Sequence, residues 1–408
     1  MKKHKSFSEI KTSLFAGGIS CIALVKEYFD KINQSSSNSF IEVFTESALS
    51  KAKEVDQKIN NNSAGKLAGM IIGIKDNICY KNHQLSASSK ILENFESIYS
   101  STVIERLLNE DAIIIGRLNC DEFAMGSSNE NSIYGSVLNP NNSSKVAGGS
   151  SGGSAAALAE GLCIATLGSD TGGSIRQPAS FCGVLGLKPT YGRVSRHGLI
   201  AYGSSFDQIG PFTTNVEDAA LILEVIAGSD QYDSTTSSKV VPSYIDNLQL
   251  KENKLKIAVP NDYLNAEGMD KEIKDKLLQS ISDLQQNGHL VEKIDFPYLK
   301  YLIPIYYILS TAEASSNLAR YDGAHYGKRS AKSQDIESTY YNSRSEGFGL
   351  EVKRRIMLGN FILSAGYYEA YYTKALKARR LIKEKSKAIF KDFDIMLMPT
   401  TPSTAFEL

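Results

Sequence analysis

Two glycine- and serine-rich segments, starting 20 residues apart, constrain this chain more than anything else in it. The first reads Gly148-Gly149-Ser150-Ser151-Gly152-Gly153-Ser154 and runs into Ala155, Ala156, Ala157 and Leu158. A loop there feeds good helix formers, with Ser154 placed to cap the helix. The second reads Gly168-Ser169-Asp170-Thr171-Gly172-Gly173-Ser174-Ile175-Arg176-Gln177-Pro178. Two adjacent glycines ahead of a serine let the backbone turn successive N–H groups toward one point. The stretch 143–173 is too specific in composition for a spacer.

Around these segments, short apolar runs alternate with helical patterns. Met70 to Ile74, Ala112 to Ile115, Cys163 to Leu167, Val184 to Leu187, Leu255 to Val259 and Ile395 to Met398 read as buried strands. Ile22, Leu24, Val25, Tyr28, Phe29 and Ile32 recur at helical spacing, and Gly17 and Gly18 end a shorter helix before them. The alternation predicts an α/β fold, with a mixed central β-sheet covered by helices on both faces. Residues 230–253 are polar and loop-like, residues 301–390 read as a mainly helical, tyrosine-rich insertion or cap, and no internal repeat is visible. A chain of 408 residues accommodates one large domain or two.

The first segment alone admits several readings. As a phosphate cradle it lacks the lysine that should follow its last glycine, where Ser154 stands. As a nucleophile elbow it matches Gly-x-Ser-x-Gly with Ser150 or Ser151 in the middle, and His289 or His325 follows in the required order, but no strand directly precedes it. It is also compatible with a plain flexible loop before a capped helix. In the second segment, the amides of Thr171, Gly172, Gly173 and Ser174 are placed to form an oxyanion hole beside the Ser174 hydroxyl.

A serine nucleophile needs a base, and none of the five histidines (His4, His83, His197, His289, His325) falls in this centre. Lys75 ends the apolar run Met70-Ile71-Ile72-Gly73-Ile74 and precedes Asp76 and Asn77. A lysine entering from a buried strand loses basicity, because desolvation disfavours the ammonium, and a neutral amine accepts a proton. The other reading of Lys75 is a side chain reaching solvent. Asp170 and Arg176 flank Ser174 either as a brace or as an incidental surface pair.

Taken together, these motifs resemble the amidase signature family, and the resemblance spans nearly all of the chain, residues 1–408 forming a single amidase domain. It rests on the two segments above and on the upstream Gly73-Ile74-Lys75-Asp76-Asn77. It implies a catalytic triad in which Ser174 is the nucleophile, Ser150 the bridging serine, preceded by a cis peptide bond from Gly149, and Lys75 the base. Lys75 then takes a proton from Ser150, which takes one from Ser174 as it attacks an amide carbonyl.

Further segments are similar to the family's branch of glutamine-dependent aminoacyl-tRNA amidotransferase A subunits. These are Asp121 to Glu130, Tyr191 to Arg196, Ser205 to Pro211, Glu313 to Gly323 and Glu346 to Gly349. That branch implies glutamine hydrolysis, with ammonia passed to a B subunit that uses ATP and Mg to amidate Glu or Asp carried on tRNA, a small C subunit completing the heterotrimer. This chain itself then binds no cofactor and no metal, and meets tRNA only through its partner. The resemblance names Arg355 and Tyr306 for the glutamine carboxylate, with Met125 and Ser127 as further substrate contacts. The helix Glu351-Val352-Lys353-Arg354-Arg355-Ile356 is otherwise a solvated charged face.

Composition agrees with that division of labour. Lys plus Arg and Asp plus Glu number 45 each, so nothing in the balance marks a surface built to neutralise nucleic-acid phosphates. Five widely spaced cysteines (Cys21, Cys79, Cys120, Cys163, Cys182) fit neither a disulfide framework nor a zinc site and point to a reducing cytoplasm. No segment approaches the roughly 18 uninterrupted apolar residues of a membrane span. Family members usually continue past Leu408 with another strand and an acidic residue for the glutamine amino group, so the carboxy-terminal end reads as incomplete. Three expectations follow: a glutaminase that feeds partner subunits, a stand-alone amidase acting on another small amide, or a truncated scaffold within the same assembly.

Overall fold

The run Met70-Ile71-Ile72-Gly73-Ile74 becomes the middle of the principal sheet. In the computed structural model, which describes residues 6–248 and 254–408, the strands are β1 (Phe40–Val43), β2 (Ile71–Lys75), β3 (Ile113–Leu118), β4 (Leu138–Asn139), β5 (Asn142–Val146), β6 (Ala165–Asp170), β7 (Leu185–Gly186) and β8 (Gln208–Thr213). Six of them form one sheet in the order β1-β3-β2-β6-β8-β7. β2 runs parallel to both neighbours, β3 and β6, while β1, β8 and β7 each join antiparallel. The sheet is therefore mixed, as expected.

Every residue of β2, β3, β6 and β8 is buried, so both faces of the sheet are covered. Ile71, Ile72, Ile113, Ile115 and Leu167 pack with Leu24, Val25, Val55, Leu107 and Ile222 from the helices Cys21–Gln34, Thr45–Asn60, Thr102–Asn109 and Val216–Ile226. A second cluster joins Ala155, Ala156 and Leu158 of the helix Gly152–Glu160 to Ile175, Ala179 and Phe212. Each fully buried isoleucine contributes roughly 1.5–3 kcal/mol. That apolar anchoring offsets the cost of drawing Lys75, the last residue of β2, into the interior.

Three local readings change. The helix after the first glycine-rich segment begins at Gly152, with Ser151 at its N-cap position, so Ser154 lies inside the helix and donates to the Leu167 carbonyl at 3.0 Å instead of capping. The run Val184 to Leu187 pairs only over Leu185–Gly186. β8, with Gly210 and Pro211 in it, was not legible as a strand from its residues.

The expectation of one domain meets a chain that divides into two compact units. One holds Met1–Leu248, Asn317–Arg354 and Glu407–Leu408, the other Gln249–Ser316 and Arg355–Phe406. In the second, β9 (Lys256–Pro260) is flanked by β10 (Leu290–Ile294) and β11 (Ile395–Met396), all parallel. The 301–390 stretch holds the helices Leu299–Asn317, Ile336–Gly347, Leu350–Leu363 and Lys374–Asp392, and its residues are divided between the two units. Residues 249–253 of the polar stretch, and His4, lie outside the described residues. Among those described, no helix is long and apolar enough to cross a membrane.

Candidate active site

β2 delivers Lys75 to the interior with none of it exposed. Three serine hydroxyls converge on its amine: Ser150 Oγ at 2.7 Å, Ser151 Oγ at 2.9 Å and Ser169 Oγ at 3.0 Å. Ser150 and Ser151 come from the first glycine-rich segment. Ser169 comes from β6, whose parallel pairing sets Leu167 opposite Ile74 and so brings Ser169 to the Lys75 end of β2. The reading of Lys75 as a solvent-reaching side chain is thereby removed.

The protons can be followed. The Ser151 hydroxyl donates to the Ser169 carbonyl at 3.1 Å, and the Asn77 amide donates to Ser169 Oγ at 2.9 Å. A neutral amine has two N–H donors and one lone pair. Giving the donors to Ser151 and Ser169 leaves the lone pair for the hydroxyl of Ser150. Burial holds Lys75 below its ordinary value, against the opposing pull of Cys120, Asp121, Asp170 and Asp207.

The Gly149–Ser150 peptide bond is cis, as the resemblance implies. Its surroundings tie the two segments together. The Asp121 N–H donates to the Ser150 carbonyl at 3.1 Å, the Gly149 N–H to the Gln177 side-chain carbonyl at 2.9 Å, and the Ser151 N–H to the Ser174 carbonyl at 3.3 Å. A side chain at position 149 has no room: its Cβ would lie 2.2 Å from Asp121 Oδ2 and 2.8 Å from the Ser128 nitrogen.

Ser174 is buried in the turn between β6 and the helix Arg176–Cys182. Gly173 has φ +130°, a conformation that favours glycine. Asp170, the last residue of β6, organises that turn by accepting from the Gly173 N–H at 2.8 Å, the Ile175 N–H at 3.1 Å, and Arg176 Nε and Nη2 at 3.0 and 2.9 Å. Burial by itself would raise the Asp170 carboxyl, but the Arg176 guanidinium and the two amides hold it below its ordinary value. The pair is a brace and not incidental. It also takes one expected oxyanion donor, Gly173, leaving Thr171, Gly172 and Ser174 of the sequence-derived set.

The expected substrate contacts fall in different places. Met125 is fully buried and Ser127 exposed, in the loop after β3. Tyr306 lies on Leu299–Asn317 and Arg355 on Leu350–Leu363, both in the second unit. Arg355 is only 8% exposed, with its guanidinium 5.5 Å from the centroid of the Tyr307 ring, whereas the Arg354 side chain is 67% exposed. The solvated-face reading fits Arg354 and not Arg355.

Sequence reasoning missed Ser151 and Ser169 as neighbours of the base, although both stand in the singled-out segments. It also missed Asp121 and Asp207. Asp207 accepts the Thr171 hydroxyl at 2.5 Å. A cavity of about 530 Å³ in the same unit lies elsewhere, lined by Ile10, Leu24, Tyr28, Glu27, Glu160 and Cys163. Its Glu27 and Glu160 are engaged by Lys31 and Ser35, and it holds no comparable cluster of hydroxyls and amine.

Comparison with known proteins agrees with this chemistry. A family model described as amidase matches residues 23–408. The chain is 51% identical over 408 residues to the A subunit of the glutamyl-tRNA(Gln) amidotransferase of Bacillus pumilus, covering 99% of this chain and 84% of that protein. It is 48% identical over 406 residues to the protein of the same name from Chlorobium limicola, covering 99% and 85%. Among solved structures, that of the glutamyl-tRNA(Gln) amidotransferase A subunit from Thermotoga maritima superposes with a TM-score of 0.75 at 36% identity, covering 99% of this chain and 80% of that one.

Proposed function

The chain belongs to the amidase family, and from that premise we propose that it is the glutamine-hydrolysing A subunit of a glutamyl-tRNA(Gln) amidotransferase. The observation that carries the chemistry is the buried amine of Lys75 against Ser150 Oγ, in a loop tied by backbone hydrogen bonding to Ser174. The similarity to proteins of that name supplies the substrate.

In this reading Ser174 Oγ attacks the side-chain carboxamide carbon of glutamine. Its proton passes to Ser150 Oγ, while the Ser150 proton passes to the lone pair of Lys75. The amides of Thr171, Gly172 and Ser174 receive the developing oxyanion, a donor of that kind supplying about 3–4 kcal/mol in the transition state. As the tetrahedral species collapses, the C–N bond breaks, and the proton held on Lys75 returns through Ser150 to the departing nitrogen, releasing ammonia. Water then attacks the ester on Ser174 by the same relay and frees glutamate and the Ser174 hydroxyl. A planar guanidinium such as that of Arg355, with the Tyr306 hydroxyl, is chemically suited to an α-carboxylate, and Met125 and Ser127 are the other candidate substrate contacts.

The ammonia is used by a partner B subunit, which spends ATP with Mg on Glu-tRNA(Gln), and possession of a C subunit makes the assembly a heterotrimer. All five cysteines are free and buried, which suits a reducing cytoplasm. The test is ammonia release from glutamine by the chain assembled with its B and C subunits. Ser174→Ala is expected to abolish it, and release surviving that change removes Ser174 from the mechanism. Full turnover of another small amide without partners would instead favour a stand-alone amidase.

A further inference from the structure

The turn that carries Ser174 is held at its far end by Asp170, through Gly173, Ile175 and Arg176. Between β6 and that anchorage stand Thr171 and Gly172. Gly172 and Gly173 have no side chains to hold them, and a Cβ at Gly173 would meet nothing within 4 Å. The near end therefore depends on Thr171, which is 8% exposed and whose hydroxyl donates to Asp207 Oδ1 at 2.5 Å.

Asp207 is built to receive it. It is 3% exposed and also accepts the Tyr202 N–H at 2.9 Å and the Gly203 N–H at 3.1 Å. The next residue, Gln208, pairs with Asp170 across the β6–β8 ladder, so Asp207 is fixed beside the end of β6, where the turn that carries Ser174 begins. Burial pushes its carboxyl up to about 6, against the hydrogen bonds from Thr171, Tyr202 and Gly203 and the charge of Arg196. Its oxygens accept from all three donors.

We propose that Asp207 is a positioning residue for amide hydrolysis: by accepting the Thr171 hydroxyl, it fixes the Thr171 and Gly172 amides where the oxyanion forms. The proposal deepens the function proposed above and rests on its assignment of Ser174. It predicts a defect in the transition state and not in substrate binding.

The experiment compares Thr171→Val, which keeps shape and loses the hydroxyl, with Thr171→Ser, which keeps the hydroxyl, in the assembled complex. Thr171→Val is expected to lower kcat for ammonia release by about 10–100-fold, with KM within about twofold, since a misplaced oxyanion donor acts on the chemical step. Thr171→Ser, which can still donate to Asp207, is expected to lose several-fold less kcat than Thr171→Val. Asp207→Ala, which removes the acceptor, should reproduce the kcat loss, and combining it with Thr171→Val should add little, because both remove the Thr171–Asp207 hydrogen bond. Unchanged kcat in Thr171→Val, an equal loss in Thr171→Ser, or a change confined to KM overturns the proposal. The same variants are also read by the labelling rate of Ser174 with a fluorophosphonate probe, which needs the oxyanion loop but not glutamine. A wild-type complex that labels normally yet releases no ammonia defeats the glutaminase reading alone, and the order of labelling rates still decides on Asp207.

Discussion

The Lys75 amine lies 2.7 Å from the Ser150 hydroxyl, and the lysine is completely out of solvent. In the proposed relay, desolvation makes this amine a base, and the same contact makes Ser150 its first proton donor. Lys75→Ala is expected to reduce ammonia release by about 10²–10⁴-fold, the range for loss of a general base. Lys75→Arg should do no better, because a guanidinium stays protonated. A Lys75→Arg enzyme with near wild-type kcat would contradict the relay.

The same desolvation gives a pH signature. In the proposed relay Lys75 acts in its neutral form, and its folded value lies below the ordinary 10.5. Activity should therefore rise with pH through an apparent pKa below that of a free lysine. A kcat profile that rises only near pH 10 would show that the amine is solvated after all.

Asp170 and Arg176 bear on stability. The carboxylate side chain is fully buried and the Arg176 side chain 48% exposed, so screening limits the attraction itself. The larger effect of Arg176→Ala is to leave a buried carboxylate short of donors, at about 1–3 kcal/mol by urea denaturation. Because the folded value of Asp170 is held below 3.8, its contribution is full above that pH and is lost as pH falls through the folded value. The variant should thus lose stability at neutral pH and approach wild type in strong acid.

How much of this was legible depended on whether the information was local. The Lys75–Ser150 contact and the cis bond followed from short segments, and β2 from its apolar run. What could not be read was partnership across the chain. Ser169 reaches Lys75 only because β6 lies parallel to β2, and Asp207 reaches Thr171 only because β8 lies beside β6. β8 itself was hidden by Gly210 and Pro211, since its burial on both faces leaves no alternation to detect. The expectation that Ser154 caps a helix failed because Gly152 and Gly153 adopt helical conformation once packed, against their intrinsic preference.

Glu122 shows a buried carboxylate used as a clasp. It accepts the Ser89 hydroxyl, and the Gly349 N–H at 2.9 and 3.1 Å, just before the helix Leu350–Leu363. Burial raises its carboxyl above the ordinary value despite those bonds. Glu122→Ala, which takes the acceptor from the Gly349 N–H while the Ser89 hydroxyl keeps the Gly347 carbonyl, should cost about 1–3 kcal/mol. Glu122→Gln retains an acceptor and sheds the buried charge, and is expected within about 1 kcal/mol of wild type. In wild type, the stability linked to this group is present at low pH and lost as pH rises through the raised folded value. Denaturation midpoints from pH 4 to 8 should fall more steeply for wild type than for Glu122→Gln.

Gly149→Ala separates the space a glycine leaves from the conformation it permits. The added Cβ would lie 2.2 Å from Asp121 Oδ2 and 2.9 Å from the Asn129 nitrogen. Asp121 cannot retreat freely, because its carboxylate accepts the Asn129 and Asn131 N–H groups at 3.0 and 3.1 Å while its own N–H holds the Ser150 carbonyl. Displacing it moves Ser150, which lies against the Lys75 amine. The expected result is about 1–3 kcal/mol of destabilisation from overpacking together with roughly a 10²-fold loss of kcat. Gly17→Ala supplies the contrast: φ is +74° and nothing lies within 4 Å of the new Cβ. Backbone strain there should cost about 1–2 kcal/mol and leave kcat unchanged. If the two variants lose activity in proportion to their stability, the Asp121 contact has no special hold on Ser150; if only Gly149→Ala loses it, the loop geometry around the bridging serine is what the reaction requires.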